Sequence, residues 1–209
     1  MIGLKMAITL HKGDLDANVK FTGAVAIDTE TMGLNPNRDR LCLVQLSSGD
    51  GNAHLVQIEA GQTEAPNLVK LLEDQNITKI FHFARFDVAV LKKYLNANVA
   101  PVYCTKIASK LVRTYTDRHG LKDLVRELLN IDISKQQQSS NWGADKLSKA
   151  QLEYAASDVY HLHKLMEKLD LMLNTHNRVD LAKKCFDFLS TRCELDLKGW
   201  ENTDIFAHS

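Results

Sequence analysis

A chain of 209 residues is long enough for one domain with a substantial core, and its 44% hydrophobic and 25% charged residues are ordinary globular composition. Lysine plus arginine equals aspartate plus glutamate at 26 each, so the chain lacks the basic excess common among nucleic-acid binders. That balance does not exclude such a partner, because bound cations would neutralise a carboxylate cluster and leave the loaded protein more positive.

The N-terminus carries Lys5, His11, Lys12 and Asp14 too early for a signal peptide or a membrane span. None of the four cysteines, Cys42, Cys104, Cys185 and Cys193, forms a C-x-x-C pair. They read as buried or half-buried thiols of a reducing compartment, and the expected location is the cytoplasm.

In chain order, residues 6–10 are short and apolar and precede the turn-like Lys12-Gly13-Asp14. Ala24-Val25-Ala26-Ile27 is a stronger strand, ending at Asp28. Residues 41–46 and 54–58 follow as further strands, joined by Gly-, Asn- and Asp-rich loops like those of a meander. Residues 66–75 read as a helix, with Pro66 at the start and Leu68, Leu71 and Leu72 on one side. A strand over 78–81, a helix over 84–95 and a brief strand over 102–104 come next. The remainder is expected to be helical over 105–113, 120–130, 148–173 and 177–196, with a loop at Ser139-Ser140-Asn141-Trp142-Gly143. In the last helix, Ala182, Cys185, Phe186, Leu189 and Cys193 form a packing stripe. The fold class expected is one α/β domain over 1–209, a mixed sheet flanked by helices with a helical C-terminal end.

Three acidic signals occupy informative places. Asp28 and Glu30 are two apart where an apolar strand ends, so both face one side. Asp87 opens a helix after a buried strand, a position that also suits a carboxylate for reasons of helix polarity alone. Tyr154 and Asp158 are four apart on one helix face, with small residues between them. Each signal alone is commonplace, and a solvated or core-edge role would explain it. Together and in this order, the four carboxylates suit two Mg²⁺ or Mn²⁺ ions, which prefer oxygen ligands. Two such ions roughly 3.5–4 Å apart clamp the attacking and leaving oxygens of a phosphodiester displacement.

Ala26-Ile27-Asp28-Thr29-Glu30-Thr31-Met32-Gly33-Leu34, His82-Phe83-Ala84-Arg85-Phe86-Asp87 and Tyr154-Ala155-Ala156-Ser157-Asp158-Val159 resemble the ribonuclease D branch of the D-E-D-D 3′–5′ exonucleases. Residues 41–46 and His119-Gly120-Leu121-Lys122-Asp123-Leu124 add to a likeness covering roughly 20–170. The resemblance implies a ribonuclease H-like fold. It implies that Asp28, Glu30 and Asp158 hold one divalent ion, that Asp28 bridges to a second, and that Asp87 serves the second. Tyr154 would hydrogen-bond the attacking water. Glu153 stands where the related histidine branch has its histidine, so the tyrosine subclass fits better, and His161 and His163 are structural. Met32, Gly33, Leu34, His82 and Phe86 are the implied substrate contacts, with Leu34 and Phe86 against terminal bases.

The chain departs from the family pattern at several places. Met32 stands where threonine is common, and Phe83 where asparagine follows the histidine. Residues 140–147 match the family's acidic-Trp and Arg-Pro-Leu stretch only loosely. Residues 175–209 read as a helical extension, without the further helical RNA-binding domains of longer ribonuclease D proteins. Lys106, Lys110, Arg113, Arg118 and Lys122 could track a phosphate backbone or equally form a solvated helix face.

The expected activity is hydrolysis of single-stranded RNA from its 3′ end to nucleoside 5′-monophosphates. DNA is the alternative substrate. A non-catalytic nucleic-acid-binding module and a small-molecule phosphatase are the alternatives of other classes. Nothing in the residues calls for a membrane or an obligate protein partner.

Overall fold

The computed structural model describes residues 7–133, 137 and 139–208. Six strands form one sheet: β1 (Ile8–Lys12), β2 (Ala24–Thr31), β3 (Leu41–Ser47), β4 (Ala53–Gln57), β5 (Thr78–Phe81) and β6 (Val102–Cys104). Among the described residues, eight helices surround it: α1 (Pro66–Glu73), α2 (Ala84–Leu95), α3 (Thr105–Val112), α4 (Leu121–Leu129), α5 (Lys149–Val159), α6 (Leu162–Thr175), α7 (Val179–Asp187) and α8 (Leu189–Leu195). A π-helical turn, Asp196–Trp200, follows α8. No helix among the described residues is long and apolar enough to cross a membrane.

The strand order is β1-β4-β3-β2-β5-β6. Strands β2, β3 and β4 are the expected antiparallel meander. Strands β5 and β6 add in parallel on one side, and β1 pairs in parallel with β4 on the other. The first strand differs from the sequence reading. Met6 lies outside the described residues, and the strand runs through Lys12, which reads locally as a turn residue. Its edge position, remote from β2, follows from pairing across 45 residues of sequence that no local pattern reveals.

Both faces of the sheet are covered, which is why β3 is buried along its whole length. Val25 and Ile27 of β2 enter a core formed with α1, α2 and α8, while Ala26 enters the opposite core beneath α3, α5 and α6. Leu68, Leu71 and Leu72 are the buried stripe of α1, as their spacing predicts. Burying each contributes roughly 1.5–3 kcal/mol, so Leu72→Ala is the kind of change that would loosen this layer.

Residues 148–173 form two helices rather than one. The break falls at Tyr160-His161, where neither glycine nor proline marks it. The predicted 177–196 helix likewise divides at Phe188 and ends in the wider turn at Asp196. Within the predicted stripe, Ala182, Leu189 and Cys193 are buried, whereas Cys185 and Phe186 are only partly so. The other helices lie within two residues of their predicted ends.

Candidate active site

Strand alternation builds the centre of the site. Since Ala26 faces α5 and α6, Asp28 and Glu30 face the same way, and Thr29 faces α2. Pairing with β3 shifts register between Glu30 and Thr31, so the chain bends away from the sheet just past the second carboxylate. Helix α5 starts with a reciprocal capping box: Ser148 Oγ accepts from Gln151 N at 3.2 Å, and Ser148 N donates to Gln151 Oε1 at 3.0 Å. That start fixes the turn on which Tyr154 and Asp158 sit. Asp28, Glu30 and Asp158 each offer an oxygen within 4.8 Å of the others.

Asp87 arrives from the opposite face of the sheet, in the first turn of α2. Its Oδ1 accepts a hydrogen bond from Thr29 Oγ1 at 2.7 Å. Asp87 is outside the tight trio, yet near enough to push the Asp28 carboxyl upward. The site therefore straddles the end of β2, with the trio on one side and Asp87 on the other.

Electrostatics in this corner are unfavourable to charge. Burial first, then Asp87, Asp158 and Glu30, hold the Asp28 carboxyl well above the usual carboxylate range. Burial, followed by Asp158 and Asp87, pushes Glu30 up to about 9. Burial raises Asp87 to about 7, against the Thr29 hydrogen bond that lowers it. Burial raises the Tyr154 hydroxyl, and Asp158, to which it hydrogen-bonds, adds to the effect. Among the described residues, no lysine or arginine forms an ion pair with Asp28, Glu30 or Asp87. Convergent, mutually repelling oxygen donors fit hard divalent cations, whose charge would remove the repulsion.

The predicted substrate contacts lie around the same opening. Thr31 Oγ1 donates to the Gly33 carbonyl, and Asp39 Oδ2 accepts from Asn35 N at 2.9 Å. A Cβ on residue 33 would lie 2.3 Å from Asp39 Oδ2, so this loop needs Gly33 for close approach. The loop thrusts Leu34 into solvent at 88% exposure and leaves Met32 half exposed. His82 Nδ1 is 2.9 Å from Thr105 Oγ1. Met32, Gly33, Leu34, His82 and Phe86 all line one cleft of about 660 Å³ together with Asp28, Glu30, Asp87, Tyr154 and Asp158.

Lys106 and Lys122 also line this cleft, as a phosphate-tracking role requires, whereas Lys110 and Arg118 do not. Arg113 is a correction: it is fully buried, bonded to Glu127, to Ser109 Oγ at 3.0 Å and to the Arg118 carbonyl at 2.8 Å. Burial between α3 and α4 removes it from any ligand. His161 and His163 are not in the carboxylate cleft, and His163 Nε2 is 3.2 Å from the Ala24 carbonyl.

Sequence reasoning overlooked Thr29 and Gln45. Gln45 lies directly across from Asp28 in the β2–β3 register and donates through Nε2 to Asp28 Oδ2 at 3.4 Å. Its buried Oε1 has no hydrogen-bond partner among the described residues. Strand alternation was the available signal for Thr29, since it alone of residues 28–30 must face α2. Cross-strand register was needed for Gln45.

The chain is similar to several known proteins. A family model described as 3′-5′ exonuclease matches residues 13–174. The structure of Brucella melitensis NrnC with bound Mg²⁺ is 60% identical, covers 98% of this chain and 100% of its own, and superposes with a TM-score of 0.94. The same protein bound to pGG is 61% identical with the same coverage and TM-score. Ribonuclease D of Gluconacetobacter diazotrophicus is 35% identical over 156 residues, 75% of this chain and 39% of that protein. The chain thus spans about two-fifths of the length of the first curated ribonuclease D relatives it matches. Escherichia coli RNase D, at 24% identity, shares the fold with a TM-score of 0.72 over 83% of this chain and 45% of its own. Because the matched stretch contains the four carboxylates, Tyr154 and five of the six strands on a ribonuclease H-like fold, this chain belongs to the 3′–5′ exonuclease family.

Proposed function

We propose that the protein hydrolyses RNA from its 3′ end, releasing nucleoside 5′-monophosphates with the help of two divalent ions, Mg²⁺ or Mn²⁺. The observation that carries this reading is the convergence of Asp28, Glu30 and Asp158 within 4.8 Å, flanked by Asp87 and Tyr154. Asp28, Glu30 and Asp158 would hold one ion, Asp28 would bridge to the second, and Asp87 would serve the second. The Mg²⁺ bound by Brucella melitensis NrnC supports the choice of a hard cation. Bound ions supply charge neutralisation at the phosphate and make the attacking water more acidic.

The chain's own residues do the positioning. Tyr154 is a poor base at neutral pH, because its hydroxyl is raised above an already high ordinary value. It orients the attacking water by hydrogen bonding. Glu30 and the backbone of residues 32–34 receive the terminal 3′-hydroxyl. Lys106 and Lys122 attract the phosphate backbone into the cleft. The ribonuclease D relatives support RNA as substrate, and pGG held by NrnC supports a nucleotide chain as short as two residues.

Incubating 5′-labelled RNA and a matched DNA strand with Mg²⁺ or Mn²⁺ tests the proposal. A ladder of shortened RNA products is expected, with circular RNA resistant and a 3′-phosphate strongly inhibitory. Equal or faster loss of DNA would overturn the RNA assignment, and cutting of the circle would overturn the exonucleolytic one.

A further inference from the structure

Phe83 occupies an unusual place. Its backbone is in the left-handed region, with φ 69° and ψ 44°, at the residue that starts α2. Asparagine and glycine adopt this conformation readily, whereas a bulky aromatic residue there is strained. The other non-glycine residues with positive φ among those described, Asn96, Asn130 and Asn177, are all asparagine. Phe83 gains no helix cap in return, since its side chain forms no cap hydrogen bond. Nor does core packing account for it, because the residue is 45% exposed.

What the conformation achieves is a position for the ring. Phe83 lines the carboxylate cleft and also a neighbouring pocket of about 390 Å³, and Leu34 and Phe86 border both cavities with it. Lys106 Nζ lies 4.3 Å from the ring centroid, a cation–π contact that steadies the ring and brings a positive charge to the same spot. An exposed, strained and steadied aromatic between two cavities beside a phosphodiester site is built to receive another flat π-system.

We propose that Phe83 is a base-stacking platform: a nucleobase of the bound strand, lying between the two cavities, stacks on its ring, while Lys106 meets that nucleotide's phosphate. The assignment rests on the nucleolytic reading and adds a substrate-binding residue to it. Stacking does not distinguish one base from another strongly, so the platform holds the strand without reading its sequence.

Phe83→Asn separates this role from a structural one, because asparagine relieves the backbone strain while removing the π-face. The variant should melt at or above the wild-type temperature. Its KM for a short RNA in Mg²⁺ should rise roughly 5- to 100-fold, the loss expected for one base–aromatic stack, with kcat within about threefold. Phe83→Trp should retain wild-type KM within about threefold, and Phe83→Gly serves as a second strain-relieving variant. Dissociation constants for a labelled RNA in Ca²⁺, read by fluorescence anisotropy, should follow the KM changes. Wild-type KM and dissociation constant in the folded Asn or Gly variant would overturn the platform. The binding measurement judges the stack by itself; absence of hydrolysis by the wild-type protein would count against the nuclease reading alone.

Discussion

Replacing Asp28 by asparagine should inactivate the enzyme and, in the absence of metal, stabilise it. The trio's oxygens lie within 4.8 Å of one another. Two full charges at that distance repel by about 3.5 kcal/mol, taking an effective dielectric constant of about 20. Part of that repulsion is already relieved, because Glu30, pushed up to about 9, holds a proton at neutral pH. The Asp28 carboxyl, itself raised, costs the fold either this repulsion or the uptake of a proton, so replacing it should gain about 1–3 kcal/mol, or about 2–12 °C in Tm for a chain of this size. Asparagine preserves the volume, so no cavity offsets the effect.

Magnesium should close the gap or reverse it. At about a hundred times its dissociation constant, a bound ion stabilises its site by roughly 2.7 kcal/mol, which wild type gains and Asp28→Asn largely does not. The pH dependence has a definite sign. The folded carboxyls are raised, so the folded state binds protons more tightly than the unfolded chain. Metal-free wild type should therefore lose stability as pH rises from the ordinary Glu30 value of 4.5 through about 9, and Asp28→Asn should lose less. Thermal melts in chelator and in Mg²⁺ across this range, with RNA digestion alongside, measure all of it. A variant that melts below wild type in chelator, gains equally from Mg²⁺ or digests RNA at near wild-type rate would refute the reasoning.

Tyr154→Phe should bind RNA and metal nearly as well as wild type while its single-turnover rate falls roughly 10²–10⁴-fold; an unchanged rate would reduce Tyr154 to a packing residue. Chelation should abolish hydrolysis, Mg²⁺ or Mn²⁺ should restore it, and Ca²⁺, with its looser geometry, should support binding with poor turnover. Undiminished cleavage in excess chelator would end the metal-dependent mechanism. Asp196 accepts from Arg85 at 2.6 and 2.7 Å and from Arg192 at 2.7 Å, tying α2 to the C-terminal turn. Asp196→Ala should cost roughly 2–3 kcal/mol, less than for a fully buried pair because Arg85 is partly solvated, and should lower Tm by about 4–12 °C. A Tm within about 2 °C of wild type would show that this tie contributes little.

The carboxylate site was legible in the sequence because local periodicity determines its main distances. Two residues along a strand and four along a helix give same-face placement without knowledge of the fold, which settles Asp28 with Glu30 and Tyr154 with Asp158. Bringing those pairs together needs the tertiary fold, and there the family likeness supplied what periodicity could not. Failures occurred where placement depends on distant partners. β1 sits against β4, Gln45 faces Asp28 across the sheet, and Arg113 is buried by Glu127 from the next helix. The break at Tyr160-His161 carries no local signal, since neither residue is a glycine or a proline.

Buried charge elsewhere in the molecule gives the site its meaning. Lys79 is fully buried, but its ammonium donates to the carbonyls of Asp74, at 2.7 Å, and Ala100. Buried Arg113 has Glu127, and buried Asp196 has two arginines. The fold thus satisfies buried ionic groups wherever structure alone is at stake. Two exceptions to ordinary stability rules occur around one opening: carboxylates that repel one another, and a phenylalanine in the left-handed region. Their meeting in a single cleft fits the ligands proposed for it: cations for the carboxylates and a base for the Phe83 ring.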